Sequence, residues 1–435
     1  MDEARFFTHS LRDPSVARIL AAALDAVEPG AVVERYLTSN PLPSAGRVFA
    51  LGLGKAALPM TQSLSHFTNL TRTLVITKHA STINLQPATI IESGHPVPDS
   101  RSLAAGQAAL DFVSDLHEDD LLVCLISGGG SALMTAPTVQ LEDMQKLTSA
   151  LLASGARIDE INTLRRHLDW VKGGGVAKAT KARVLSLILS DVVGSPLEAI
   201  ASGPTTPDPT TKDDAIAIIR KYELSVPSSI NHSLSSNPET PKPADPIFSR
   251  VQNVIVGDNV LAVQAALKQA EQEGFHTESL GSHWQGEARE VGFELAQKLR
   301  VTIKMQSRPF YLIAGGETTV SLSGAADFGR RSRRATIPGK GGRNQELTLA
   351  AVSELAGLES AVLISLATDG EDGPTNAAGA VVTGKSLQRA QSLGLDPADY
   401  LARNDSYNFF DKLGDLLKIG PTGTNVNDLM FLIGL

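Results

Sequence analysis

The feature that most constrains this chain is an alternation of two patterns. Short apolar runs at 47–51 (RVFAL), 74–76 (LVI), 88–91 (ATII), 121–126 (LLVCLI) and 184–189 (VLSLIL) are separated by longer stretches with helical spacing, among them 102–116 and 141–152. Runs this short and this apolar suit strands buried on both faces, and strands alternating with helices predict βαβ units and a mostly parallel, helix-covered sheet. A Pro-, Ser- and Asn-rich stretch at 224–246 interrupts the pattern and reads as a linker or long surface loop. The alternation then resumes with 254–256 (VIV), a helical 260–273, 311–313 (YLI) and 361–366 (AVLISL). The fold class is therefore α/β. With 435 residues the chain exceeds the size, about 250–300 residues, at which one core stops growing. Two α/β domains are expected, over 1–235 and 248–435.

Charge narrows the function classes. A formal net charge of −8 disfavours non-specific nucleic-acid binding, whose main affinity term needs a basic surface that releases counterions. Cys124 is the only cysteine and lies inside an apolar run, so it reads as a small core residue in a reducing compartment. The opening residues (MDEARFFTHSLRDP) carry acids and no apolar core segment, and no run of about 18 apolar residues occurs. No membrane partner and a cytoplasmic location are expected; the base rate for oligomers points to a homodimer.

Glycine-rich and polar clusters follow the expected strands, where open α/β sheets place their ligands. The first, GLGKAA at 52–57, could bring backbone N–H groups and the Lys55 charge to a phosphate or carboxylate. A tight strand–helix turn with an exposed lysine explains it equally well. The string lacks the third glycine of the dinucleotide fingerprint and the spacing of a Walker A loop. The second, SGGGSA at 127–132, contains three successive glycines, costly in chain entropy, and favours anion binding. A nucleophilic Ser127 or Ser131 is the rival, without the glycine pattern of a nucleophile elbow. Arg165, Arg166 and Lys172 concentrate positive charge beside a glycine run and suit a substrate carboxylate or phosphate, or else form a solvated helix face. Asp191, leaving a strand end, is a candidate Mg²⁺ ligand or a helix cap.

The second half contributes GGETT at 315–319, GGRNQE at 341–346, TDGEDGP at 368–374 and GPTGTNVND at 420–428. Arg343 and Asp369 form a natural chemical pair, a cation for developing phosphoryl charge and a carboxylate to accept a hydroxyl proton or bind metal. The cofactor-binding candidates are Gly52, Gly54, Ser127, Gly128, Gly129, Gly130, Ser131, Glu317 and Asn344.

Taken together and in order, these strings resemble the glycerate 2-kinase family, which pairs an N-terminal glycerate-kinase domain with a C-terminal MOFRL domain. The resemblance implies a Rossmann-like first domain, a MOFRL-type second domain and an active site in the cleft between them. It also implies ATP and Mg²⁺ as cofactors, and transfer of the γ-phosphoryl group to the 2-hydroxyl of D-glycerate. Lys55, Arg343 and Asp369 match the family's catalytic lysine, arginine and aspartate. Two other readings remain: an NAD(P)H-dependent hydroxypyruvate reductase, and a non-catalytic sensor of sugar-acid phosphates.

Overall fold

Every apolar run named above forms a strand, and those of the first half share one sheet. The computed structural model describes residues 1–79, 87–322 and 339–435. Its strands in chain order are β1 (Val48–Leu53), β2 (Arg72–Thr77), β3 (Ala88–Glu92), β4 (Leu121–Ile126), β5 (Arg183–Leu189), β6 (Val251–Gly257), β7 (His276–Ser279), β8 (Trp284–Glu287), β9 (Phe310–Thr319), β10 (Ala361–Ala367), β11 (Gly379–Thr383), β12 (Leu416–Leu417) and β13 (Asp428–Gly434). Two units result: Pro29–Val256, and a discontinuous one made of Met1–Glu28 with Gly257–Leu435.

The Pro29–Val256 unit carries a sheet of order β3-β2-β1-β4-β5-β6. Its β3–β2, β2–β1, β1–β4 and β4–β5 pairs are parallel, with Leu51 level with Cys124. Every residue of β4 is buried, as a strand covered on both faces requires. Leu51, Leu53, Ile76, Ile126 and Ile188 pack around Cys124 in one core, each contributing about 1.5–3 kcal/mol by leaving water. Burial pushes the Cys124 thiol up to about 12, so it remains an inert core group. After β1 the chain builds β2 and β3 on one side and then returns to the other side with β4. The carboxyl ends of β1 and β4 thus flank the point where strand order reverses, the usual ligand crevice of such sheets.

The stretch at 224–246 is not the loop its composition suggests. It contains the helix Ser228–Ser236, whose Ile230 and Leu234, one turn apart, pack with Leu147, Leu151, Ile161 and Leu164. Two correctly spaced apolar residues outweigh the surrounding serines and asparagines. The unit therefore runs to Val256, in place of the expected division at 235/248. The N-terminal residues also group differently, with the C-terminal half. Thr8 Oγ1 and the Ser10 N–H donate to the buried Asp415 carboxylate (3.0 and 2.7 Å), and Arg18 grips Glu273 through two bonds (2.6 and 2.7 Å).

The second unit holds a mixed sheet of order β12-β11-β10-β13-β9-β7, with β8 also on β9. The last strand, β13, inserts between β10 and β9, antiparallel to both. Asp428, its first residue, consequently lies opposite Ala367 at the end of β10 and opposite Gly316 in β9. The helix Arg343–Glu354 packs on this sheet through Leu347, Ala351 and Val352, which presents its first turn to the same region. Among the described residues, no helix is long and apolar enough to cross a membrane.

Candidate active site

At the reversal point of the first sheet, the loops after β1 and β4 are stitched together. The Lys55 N–H donates to Gly128 O (3.0 Å), Ser127 N–H to Leu53 O (2.9 Å), and Ala56 N–H to the Ser127 hydroxyl (3.0 Å). Gly54 has φ +123°, and a Cβ there would run into the Ser127 backbone, so only glycine allows this approach. A Cβ on Gly128 would overlap the Asp191 carboxylate, and one on Gly129 would sit 3.2 Å from His95 Nε2 and 3.3 Å from Lys55 Cγ. The structure thus brings Lys55, Gly128, Gly129 and Asp191 into one cluster, with Lys55 exposed. Burial raises the Asp191 carboxyl, against the pull of the Lys55 charge. Burial, then Lys55 and Lys78, push His95 down to about 4, so its imidazole is neutral.

Several of the expected contact residues have packing roles of their own. Gly52 lies inside β1, where a Cβ would come 2.7 Å from Thr61 Oγ1 and 3.3 Å from Ala57 Cβ; it lets the following helix close on the strand. A Cβ on Gly130 would come 2.6 Å from Ala201 Cβ. Ser131 shares a 2.7 Å hydrogen bond with Ser202, and neither its hydroxyl nor that of Ser127 meets a histidine among the described residues, which removes the basis for a serine nucleophile.

The Arg165, Arg166 and Lys172 expectation is corrected for two of the three. Arg166 is buried, with Nε donating to Asp208 Oδ1 (2.8 Å) and Nη2 to Thr210 Oγ1 (3.2 Å). Lys172 is buried against Asp169 and also donates to Met134 O (3.2 Å). Both cations neutralise internal carboxylates, because a buried charge persists only when paired. Arg165 is half-buried and bonds Asn162 Oδ1 (3.3 Å); burial lowers it.

A second cluster forms in the other unit around Arg343. Its Nε and Nη2 donate side by side to Asp428 Oδ2 (2.6 Å) and Oδ1 (3.0 Å), while Nη1 donates to Glu317 Oε1 (2.8 Å). Burial alone would lower this guanidinium; the Asp428 and Glu317 carboxylates outweigh it and raise it. Asn344 is buried, contrary to a direct cofactor role: its Nδ2 donates to Asp428 Oδ1 (2.9 Å), and its Oδ1 accepts from Ser365 (2.5 Å). Asp369 sits half-buried just beyond β10, its Oδ1 accepting from Glu371 N–H (3.1 Å) and its carbonyl from Thr422 N–H (3.2 Å). The 420–428 loop is its scaffold, with Thr422 and Val426 bonded to Thr368 (2.6 and 2.8 Å).

Three residues escape the sequence reading. His95 follows β3 in a Gly-His-Pro string, a strand-end loop signal, and Asp372 and Asp428 lie within strings already singled out. Asp372 accepts from the N–H groups of Asn344 (3.1 Å) and Gln345 (2.9 Å).

Comparison with known proteins identifies the family. Residues 15–235 match the model described as Domain of unknown function (DUF4147), and 310–428 match the MOFRL family. The D-glycerate 2-kinase of Thermotoga maritima is 40% identical over 427 residues, 96% of either chain. The chain belongs to the glycerate 2-kinase family. Another relative of this glycerate 2-kinase family member, from Agrobacterium vitis, is named putative hydroxypyruvate reductase; it is 38% identical over 96% of this chain and 93% of its own. The crystal structure of the Thermotoga maritima glycerate kinase superposes with a TM-score of 0.87 at 39% identity, over 96% of this chain and 98% of that one.

Proposed function

We propose that this protein transfers the γ-phosphoryl group of ATP to the 2-hydroxyl of D-glycerate, giving 2-phosphoglycerate and ADP. The observation that carries the reading is the 40% identity to a D-glycerate 2-kinase along 96% of both chains. In this reading the glycerate oxygen bonds to the γ-phosphorus as the bond to the ADP oxygen breaks. Asp369 accepts the hydroxyl proton, and Lys55 and Arg343 stabilise charge on the transferring group and the leaving ADP. The exposed Lys55 beside the Gly128–Gly129 amides fits a phosphate, since glycine backbone can approach an anion closely.

Mg²⁺ would neutralise phosphate charge, with Asp191 supplying a protein carboxylate. Among the described residues no group of three or more His, Cys, Asp or Glu could hold a metal. That suits an ion held largely by phosphate oxygens and water, as magnesium commonly is. The reductase name of the Agrobacterium vitis relative motivates a second reading, disfavoured because Gly52 packs within β1 and the third fingerprint glycine is missing.

The test is ADP release from ATP and Mg²⁺ with D-glycerate, coupled to enolase. Phosphoenolpyruvate formed without phosphoglycerate mutase supports 2-phosphorylation. A requirement for mutase moves the phosphate to the 3-position. NAD(P)H oxidation by hydroxypyruvate without any substrate-dependent ADP overturns the kinase.

A further inference from the structure

A guanidinium has five N–H donors. In Arg343, Asp428 takes two of them side by side and Glu317 a third, which leaves one on each terminal nitrogen. A bidentate grip fixes the guanidinium plane, so the directions of those two donors are set before any ligand arrives. The grip is itself immobile. Asp428 is 1% exposed and is paired on both sides of β13, whereas Arg343 keeps 31% of its side chain exposed. An ion pair with one sealed end and one open end aims a cation outward. Behind it stands a relay: Ser365 donates to Asn344 Oδ1, Asn344 Nδ2 donates to Asp428, and Asp372 accepts both N–H groups of the helix start that carries Arg343 and Asn344.

We propose that Asp428 is a positioning residue for phosphoryl transfer, fixing the Arg343 guanidinium, and that Ser365, Asn344 and Asp372 hold this grip in place. The inference rests on the kinase reading above. It predicts that charge at Asp428 matters through Arg343 alone, and chiefly in the step where phosphoryl charge develops.

The experiment is a double-mutant cycle on the full chain, with kcat and KM for ATP and D-glycerate. Asp428→Asn lowers kcat roughly 100-fold, the scale of a misplaced catalytic group, with KM values within about threefold. In an Arg343→Ala background the same substitution costs less than about threefold, because residues acting as one unit are not additive. A merely structural role would cost the same in both backgrounds, and that result overturns the inference. Ser365→Ala is the gentler second variant, which frees the Asn344 amide and lowers kcat about tenfold at unchanged KM. An active wild type whose Ser365→Ala and Asp428→Asn variants both keep kcat within threefold overturns the inference and spares the kinase reading. A wild type that releases no ADP with D-glycerate overturns both.

Discussion

Replacing Asp372 by asparagine should remove a pH dependence of stability. Burial first, then the charge of Asp428, raises this carboxyl from 3.8 to about 7, against the N–H donors of Gln345 and Asn344. The charged groups near it are Asp428 and Arg343; Asn344, Gln345 and Thr375 are neutral. Between these two values the unfolded chain has lost the proton and the folded chain keeps it. Stability from this group is therefore complete below about pH 4 and declines as pH rises toward about 7, by on the order of 4 kcal/mol in all. Asparagine mismatches the Gln345 or Asn344 N–H, but that cost is a constant offset. The pH slope is the signal. Melting both proteins from about pH 4.5 to 8 should show wild type losing ground to Asp372→Asn by on the order of 10 °C across the range, for a unit of this size. Parallel curves, or wild type gaining ground with rising pH, would show that the carboxyl is ionised throughout and refute the reasoning.

Three further outcomes are expected. Gly128→Ala places a Cβ on the Asp191 carboxylate and should cut kcat/KM by roughly 100-fold while Tm shifts little, since the displaced atoms end a side chain; an unimpaired enzyme would detach Asp191 from the reaction. Lys172→Ala leaves the buried Asp169 without its cation and should destabilise by about 3–5 kcal/mol in urea unfolding, a value under about 1 arguing that the pair does not hold this region together. His95, held at about 4, should show no imidazole titration by NMR between about pH 5.5 and 8; a midpoint near 6.5 would mean that neither burial nor Lys55 bears on the ring.

In the first sheet β1, β2, β4 and β5 were legible because they are almost wholly buried and therefore read as mainly apolar runs. β7 and β8 were not, being four residues each and largely polar. The glycine loops announced themselves because strand-to-strand approach leaves no room for a Cβ at Gly54 or Gly128. Asp428 could not be assigned from local pattern. It acts on Arg343, 85 residues away, only because the last strand inserts between β9 and β10, a register set by tertiary packing. The same limit explains Arg166 and Lys172, where a basic string looks alike whether its carboxylates lie in solvent or, as with Asp208 and Asp169, beneath it.

The split unit has a consequence for the making of the protein. Met1–Glu28 are made before Pro29–Val256, yet their partners, Glu273, Asp415 and the rest of Gly257–Leu435, are made after it. Pro29–Val256 emerges whole in between and can collapse as an independent body. At roughly 5–20 residues per second the opening helix Pro14–Asp25, with its buried Ile19, Leu20 and Leu24, must wait ten seconds or more for its surroundings. Until Gly257–Leu435 follow, Ile19, Leu20 and Leu24 lack the surroundings that bury them in the folded protein.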